Sequence, residues 1–277
     1  MAMTRIATMG DNCIDVYVGA PARSAVGGNA LNVAVALARR GLPAAYVGEV
    51  GDDENGRRVL ESAAGVGVGM DRVRVIAGAT WMAYIVVGQG GVARVDHEEP
   101  GACGPYAPTA QDIEFLAGFD HVHMANLSDP ASVIDALHER GVSTSYDYGK
   151  AASWGTASLP RVVFASSDGD DAHGRSVKAA RDACARGAGL VVVTLGAFGS
   201  VAVDRHRVHA QPPQAITPVD TLGAGDSYIA AFLASHLAGA SLETAMRIAS
   251  DAASETCLHW AAWPQAAQPV SRERVER

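Results

Sequence analysis

The sequence predicts an α/β fold in which a mainly parallel central sheet carries helices on both faces and a small β lid is attached. Two observations carry this. Short apolar runs alternate with stretches of helical period along most of the 277 residues, and one glycine-punctuated segment breaks the alternation.

The first apolar run, 5–9, reads as a strand. The stretch 30–40 places Leu31, Val33, Ala34, Val35 and Leu37 at helical spacing and stops at Gly41. A strand over 44–48 and a helix over 56–64 follow. Further along come a strand at 121–124, a helix at 132–140 and a strand at 143–148. A helix over 175–186 precedes the apolar strand 190–195. Helices over 223–239 and 242–257 close the pattern. Between these units, 73–95 is rich in β-branched and aromatic residues, with Gly88, Gly90 and Gly91 at its middle. Glycines between two strand-like runs predict a hairpin, and 14–18 adds a strand to it. No long linker or internal repeat interrupts the chain, so 1–277 reads as a single domain with a lid built from about 12–26 and 73–102.

Composition narrows the partners. With 48% hydrophobic residues the chain can bury a large core. The net charge is −8, the only lysines are Lys150 and Lys178, and the arginines are scattered, which argues against nucleic acid or an anionic membrane. Cys13, Cys103, Cys184 and Cys257 lie far apart and form no metal-binding pair. No apolar run has membrane-spanning length, so a cytoplasmic location is expected.

Several motifs are absent or out of place. Gly149-Lys150 is followed by Ala151 and lacks the earlier glycine of a Walker-type phosphate loop. The run from Gly88 to Ala93 matches a dinucleotide fingerprint in letters, but it sits in the expected hairpin instead of between a strand and a helix.

The informative stretch is Asp220-Thr221-Leu222-Gly223-Ala224-Gly225-Asp226, followed by apolar residues at helical spacing. It places glycines at a helix start, where backbone N–H groups lack internal partners and the dipole is positive. An aspartate there repels a permanent anion. It makes sense where negative charge is transient and a carboxylate must accept a proton, as in phosphoryl transfer to a hydroxyl. The competing reading is a glycine-rich turn with Asp226 as an ordinary first-turn carboxylate.

This segment resembles the C-terminal signature DTxGAGD of the ribokinase-like (PfkB-type) carbohydrate kinases. The run from Gly27 to Gly56 resembles that family's N-terminal signature, and Gly10–Asp15 resembles its strand ending in a substrate-binding aspartate. The three matches stand in register along nearly the whole chain. The resemblance implies a three-layer αβα fold and ATP-dependent phosphorylation of a sugar hydroxyl. In that pattern Asp226 is the base, and the Gly223, Ala224 and Gly225 amides form an anion hole. Asp15, Asn12, Gly28, Asn29 and Asn32 bind the sugar, and Thr194, Gly196, Gly199 and Thr221 lie near ATP. On the residues alone, Asn29 and Asn32 read as caps of the helix at 30–40, and Trp81 and Tyr84 as packing. Mg²⁺ is expected with ATP. Asp220 matches a place where some members bind a monovalent cation, which makes K⁺ a candidate.

One departure concerns the metal. Many relatives carry an NxxE motif where this chain has Ser166-Ser167-Asp168-Gly169; Asp168, Asp170 or Asp171 would have to substitute. Within the family, the sequence is most similar to kinases acting on fructosamines such as fructoselysine at the 6-hydroxyl. Arg94, Glu98 and Glu99 of the lid would then meet the charges of the substrate. Ribose, fructose, keto-deoxygluconate or adenosine are the alternative substrates, and a catalytically silent binding protein is the alternative class. An open lid edge predicts pairing into a homodimer.

Overall fold

The computed structural model describes residues 4–19, 22–150, 158–167 and 172–270. The chain begins β1 (Ile6–Gly10), β2 (Cys13–Tyr17), β3 (Arg23–Gly27), α1 (Asn29–Arg39), β4 (Ala44–Gly51) and α2 (Glu54–Gly65). It continues through β5 (Gly69–Ile76), β6 (Met82–Val87), β7 (Ala93–Glu99), α3 (Ala110–Leu116), β8 (His121–Ala125), α4 (Pro130–His138), β9 (Ser143–Asp147) and β10 (Val162–Ser166). It ends with α5 (Ala172–Ala185), β11 (Leu190–Thr194), β12 (Ser200–Val203), β13 (Val208–Gln211), α6 (Ala224–Leu237), α7 (Leu242–Thr256) and the short β14 (Gln268–Pro269).

The large sheet has the order β13-β12-β11-β10-β9-β8-β1-β4-β5. Neighbours from β11 through β5 pair in parallel, while β12 and β13 are added antiparallel. Because helices cover both faces, the central strands β1 and β8 are buried along every residue. Alternate side chains sort the layers. Ile6, Ala44, Phe164 and Val192 meet α1, α6 and α7. Ala7, Met9, Val122 and Met124 meet α3 and α4 on the other face, where Val163, Val191 and Val201 also meet α5. This is the three-layer α/β arrangement expected from the sequence. Helix α6 is buried from Asp226 to Leu233, so it is apolar nearly all round, as a helix packed between α1, α7 and the sheet must be.

The second sheet has the order β14-β3-β2-β6-β7. Its hairpin β6–β7 turns at Gly88–Val92, which confirms that the glycine run there is no dinucleotide loop. One boundary needs correction. Val73–Ile76, expected in the lid, belongs to β5 and forms the edge of the large sheet beside β4. No described helix is long and apolar enough to cross a membrane.

The chain leaves β1 toward β4 and β5 and later returns to its other side as β8, so β1 and β8 flank a topological switch point. Crevices beyond the carboxyl ends of strands at such a point are where ligands bind in open α/β sheets.

Candidate active site

The start of α6 faces that rim. Gly223 caps the helix with φ 76°, and a Cβ there would stand 2.3 Å from the Ala262 Cβ. Only glycine fits both demands. A Cβ on Gly225 would meet nothing within 4 Å, so the surface beside it is open. The Ala224 N–H donates to the Thr221 carbonyl at 3.3 Å. Asp226 follows in the first turn and is 7% exposed. Its Oδ2 accepts from Asn32 Nδ2 of α1 at 2.8 Å, a pairing made possible by the packing of α1 on α6. Burial pushes the Asp226 carboxyl well above the usual carboxylate range; the Asn32 amide opposes this, and Asp147, Asp11 and Asp15 reinforce it.

The segment after β1 supplies the next groups. Asp11 accepts from the Asn29 and Ala30 amides at 2.9 and 3.2 Å, so it caps α1 from outside. Neither Asn29 nor Asn32 caps the helix: the N-cap residue is Gly28, with φ 105°, and Asn29 is exposed. A Cβ on Gly28 would lie 2.3 Å from the Asn12 Cα, which makes this another enforced glycine. Asn12 donates to the Tyr46 hydroxyl at 2.9 Å and the Glu49 carbonyl at 2.7 Å. The Oδ1 atoms of Asn12 and Asn32 are both buried without a donor.

Asp15 lies on β2 and is 4% exposed. Its Oδ1 accepts from the Cys13 thiol at 3.3 Å, and its Oδ2 occupies the space a side chain on Gly27 would need. Burial, then the charges of Asp220, Asp11 and Glu98, push this carboxyl to about 7 against the thiol's hydrogen bond. Asp147 at the end of β9 is pushed by burial to about 6. Asp11 and Asp147 were not identified as site residues from the sequence; the available signal was their place at the carboxyl ends of parallel strands. Trp81 and Tyr84 are packing residues, buried in the apolar clusters on opposite faces of the second sheet.

Asp220 and Thr221 join the second sheet to the start of α6. Asp220 accepts from the Tyr17 hydroxyl at 2.6 Å, the Ala261 amide at 3.0 Å and the Leu222 amide at 2.9 Å. Oδ2 thus takes two protein donors and Oδ1 one, which leaves Oδ1 a lone pair that a K⁺ could take. Thr221 accepts from the Ala93 amide at 2.9 Å and donates its own N–H to the Gly91 carbonyl at 3.0 Å. Its hydroxyl is thus a clasp for the β6–β7 turn.

The nucleotide segment expected from the sequence divides in the same way. Thr194 ends β11 on the shared rim, 3.0 Å from the Ser166 hydroxyl. Gly196 has φ 55° and open space beside it. Gly199, with φ 90°, sits against the Gln211 carbonyl and is required by the turn into β12. Asp168, Asp170 and Asp171 lie outside the described residues. Among the described residues, no group of three or more His, Cys, Asp or Glu side chains could hold a metal ion.

Comparison with known proteins fits this geometry. Residues 16–146 and 162–262 match the pfkB family carbohydrate kinases, and the chain belongs to that family: it is a carbohydrate kinase. It is 33% identical over 264 residues to the fructoselysine 6-kinase of Escherichia coli (strain K12), covering 94% of this chain and 100% of that one. It is 30% identical over 259 residues to the fructosamine kinase of Bacillus subtilis (strain 168), covering 91% and 90% of the two chains. The fold is that of Arabidopsis thaliana ribokinase complexed with ribose and ATP, with a TM-score of 0.77 at 23% identity over 94% of this chain and 95% of that one.

Proposed function

We propose that this kinase transfers the γ-phosphoryl group of ATP to the 6-hydroxyl of a fructosamine such as fructoselysine. The observation that carries the reading is the Asp226 carboxylate, fixed by Asn32 in the first turn of a helix that opens on glycines. Asp226 takes the hydroxyl proton as the sugar oxygen attacks phosphorus. Its raised pKa makes it a stronger base than an exposed carboxylate, closer in strength to what an alcohol demands. The amides of Gly223 and Gly225, with the positive end of α6, face the charge that grows on the transferred group, and the Ala224 N–H joins them by giving up its long 3.3 Å bond to the Thr221 carbonyl. The unpartnered carbonyl oxygens of Asn12 and Asn32, together with Asp15, accept from sugar hydroxyls, while Gly28 lets the Asn12 backbone pack against the start of α1.

Thr194 and Gly196 border the nucleotide in this scheme. Mg²⁺ enters as the ATP complex, as part of the substrate. The second sheet serves as a lid that excludes water, and the exposed edge of β7 is the surface for a homodimer. ATP supply puts the reaction in the cytoplasm. A silent binding protein is the competing reading, favoured only by the serines in place of the NxxE motif. ADP formation with MgATP decides among fructoselysine, fructose, ribose, keto-deoxygluconate and adenosine. Turnover of fructosamines above the others is the expected result. Turnover of ribose or fructose alone removes the substrate assignment, and binding of ATP without turnover of any sugar favours the silent protein.

A further inference from the structure

One row of residues across the second sheet deepens this reading and rests on it. Register pairs Ala25 of β3 with Asp15 of β2, Asp15 with Ala83 of β6, and Ala83 with Glu98 of β7. Residues paired across a ladder share one face of the sheet. The row therefore reads small, acidic, small, acidic, and the alanine between the two carboxylates, itself buried, puts no bulk between them. The other ladder-paired charges of β7 point away, and Asp96, unpaired at the bulge, is engaged by Arg94 at 3.2 Å. Arg94, His97 and Glu99 pair with Val86, Tyr84 and Met82 on the reverse face. There His97 stacks on Tyr84 at 4.0 Å and Glu99 accepts from the Tyr84 hydroxyl at 3.2 Å. Of the three lid charges expected to meet substrate, only Glu98 shares the face of Asp15.

The surroundings ask for a donor with positive charge. The Oδ1 atoms of Asn12 and Asn32, in residues 2% and 6% exposed, receive no hydrogen bond. The charges that act most strongly on Asp15 are those of Asp220, Asp11 and Glu98, all acidic. A neutral sugar satisfies the acceptors but leaves the carboxylates repelling one another, whereas an ammonium group relieves that repulsion. We propose that Glu98, with Asp15, binds the protonated secondary amine at C1 of a fructosamine, and that Glu98 is the residue that favours aminated over neutral ketoses.

The test compares fructoselysine with fructose in the wild type and in Glu98→Gln, a substitution at an exposed position that leaves the core untouched. Loss of one charge-assisted contact predicts a fall of about 10- to 100-fold in kcat/KM for fructoselysine, carried by KM, with fructose changed less than about twofold. An equal effect on both sugars, or none on fructoselysine, overturns the assignment of Glu98 and leaves Asp226 as the base. A wild type that phosphorylates fructose but not fructoselysine removes the fructosamine reading itself, and this assignment with it. Calorimetry without ATP, in buffers of different ionisation enthalpy, gives a second readout. Fructoselysine binding at pH 7 should release protons as Asp15 ionises beside the ammonium, and fructose binding should not; equal release by both also overturns the proposal.

Discussion

In the large sheet, β1 and β8 are buried at every residue, whereas β7 of the second sheet is exposed from Arg94 to Glu99. The first is a scaffold whose side chains are fixed by packing on two faces, so groups at its rim are held in place. The second is covered on both faces at β2 and opens only at its edge strand β7, whose alternate residues can meet a ligand. The difference teaches where to look for each part of the chemistry. In the proposed scheme the general base sits on the buried helix α6, and discrimination between substrates falls to the open strand.

The sharpest way to break this comparison is Asp226→Asn. If the carboxylate is the base, kcat falls by about 10²–10⁴-fold. The same change removes an ionisable group that burial disfavours, so thermal unfolding at pH 8 should shift upward. Activity and stability falling together would make Asp226 a structural residue.

The next test separates two glycines of one motif. Gly223→Ala forces a side chain into Ala262 at a left-handed backbone position and should cost roughly 1–3 kcal/mol in a denaturant titration. Gly225→Ala meets open space and should leave stability intact or slightly raised. It should still slow turnover by about 10-fold or more, because a methyl group would stand where the transferred group approaches. Loss of stability in both would mean that the glycines serve only the turn.

The smallest effect is a pH slope. Asp15 is raised to about 7 from an ordinary value of 3.8, so the folded chain holds a proton there that the unfolded chain has released. Its stabilising effect is complete below pH ~4 and is lost as pH rises toward 7. The melting temperature of Asp15→Asn should therefore change less between pH 5 and 8 than that of the wild type. Parallel slopes would show that Asp15 is already ionised in the free protein.

The sequence announced the alternation of strands and helices and the glycine-flanked Asp226, because both are local patterns. It could not assign Val73–Ile76 to a sheet, since a β-branched run looks the same at the edge of either. It could not reveal that Asp11 caps α1, a bond spanning 18 residues of sequence, or that Asn32 of α1 holds Asp226, 194 residues away. The facing of Arg94, Glu98 and Glu99 was equally hidden, because a bulge between Tyr84 and Ile85 shifts the register of the hairpin. Chemical type is written in the residue, but direction is set by pairing.

Strand β7 pairs with β6 alone and contributes little to the buried clusters. Mutations along it are cheap for the fold, and under the assignment proposed for Glu98 every second one would change what the substrate meets. A lineage carrying this kinase can thus drift from one sugar to another through a few exposed positions while selection keeps α6 unchanged. The same property makes Val95 and Glu98 natural sites for a library aimed at new acceptors.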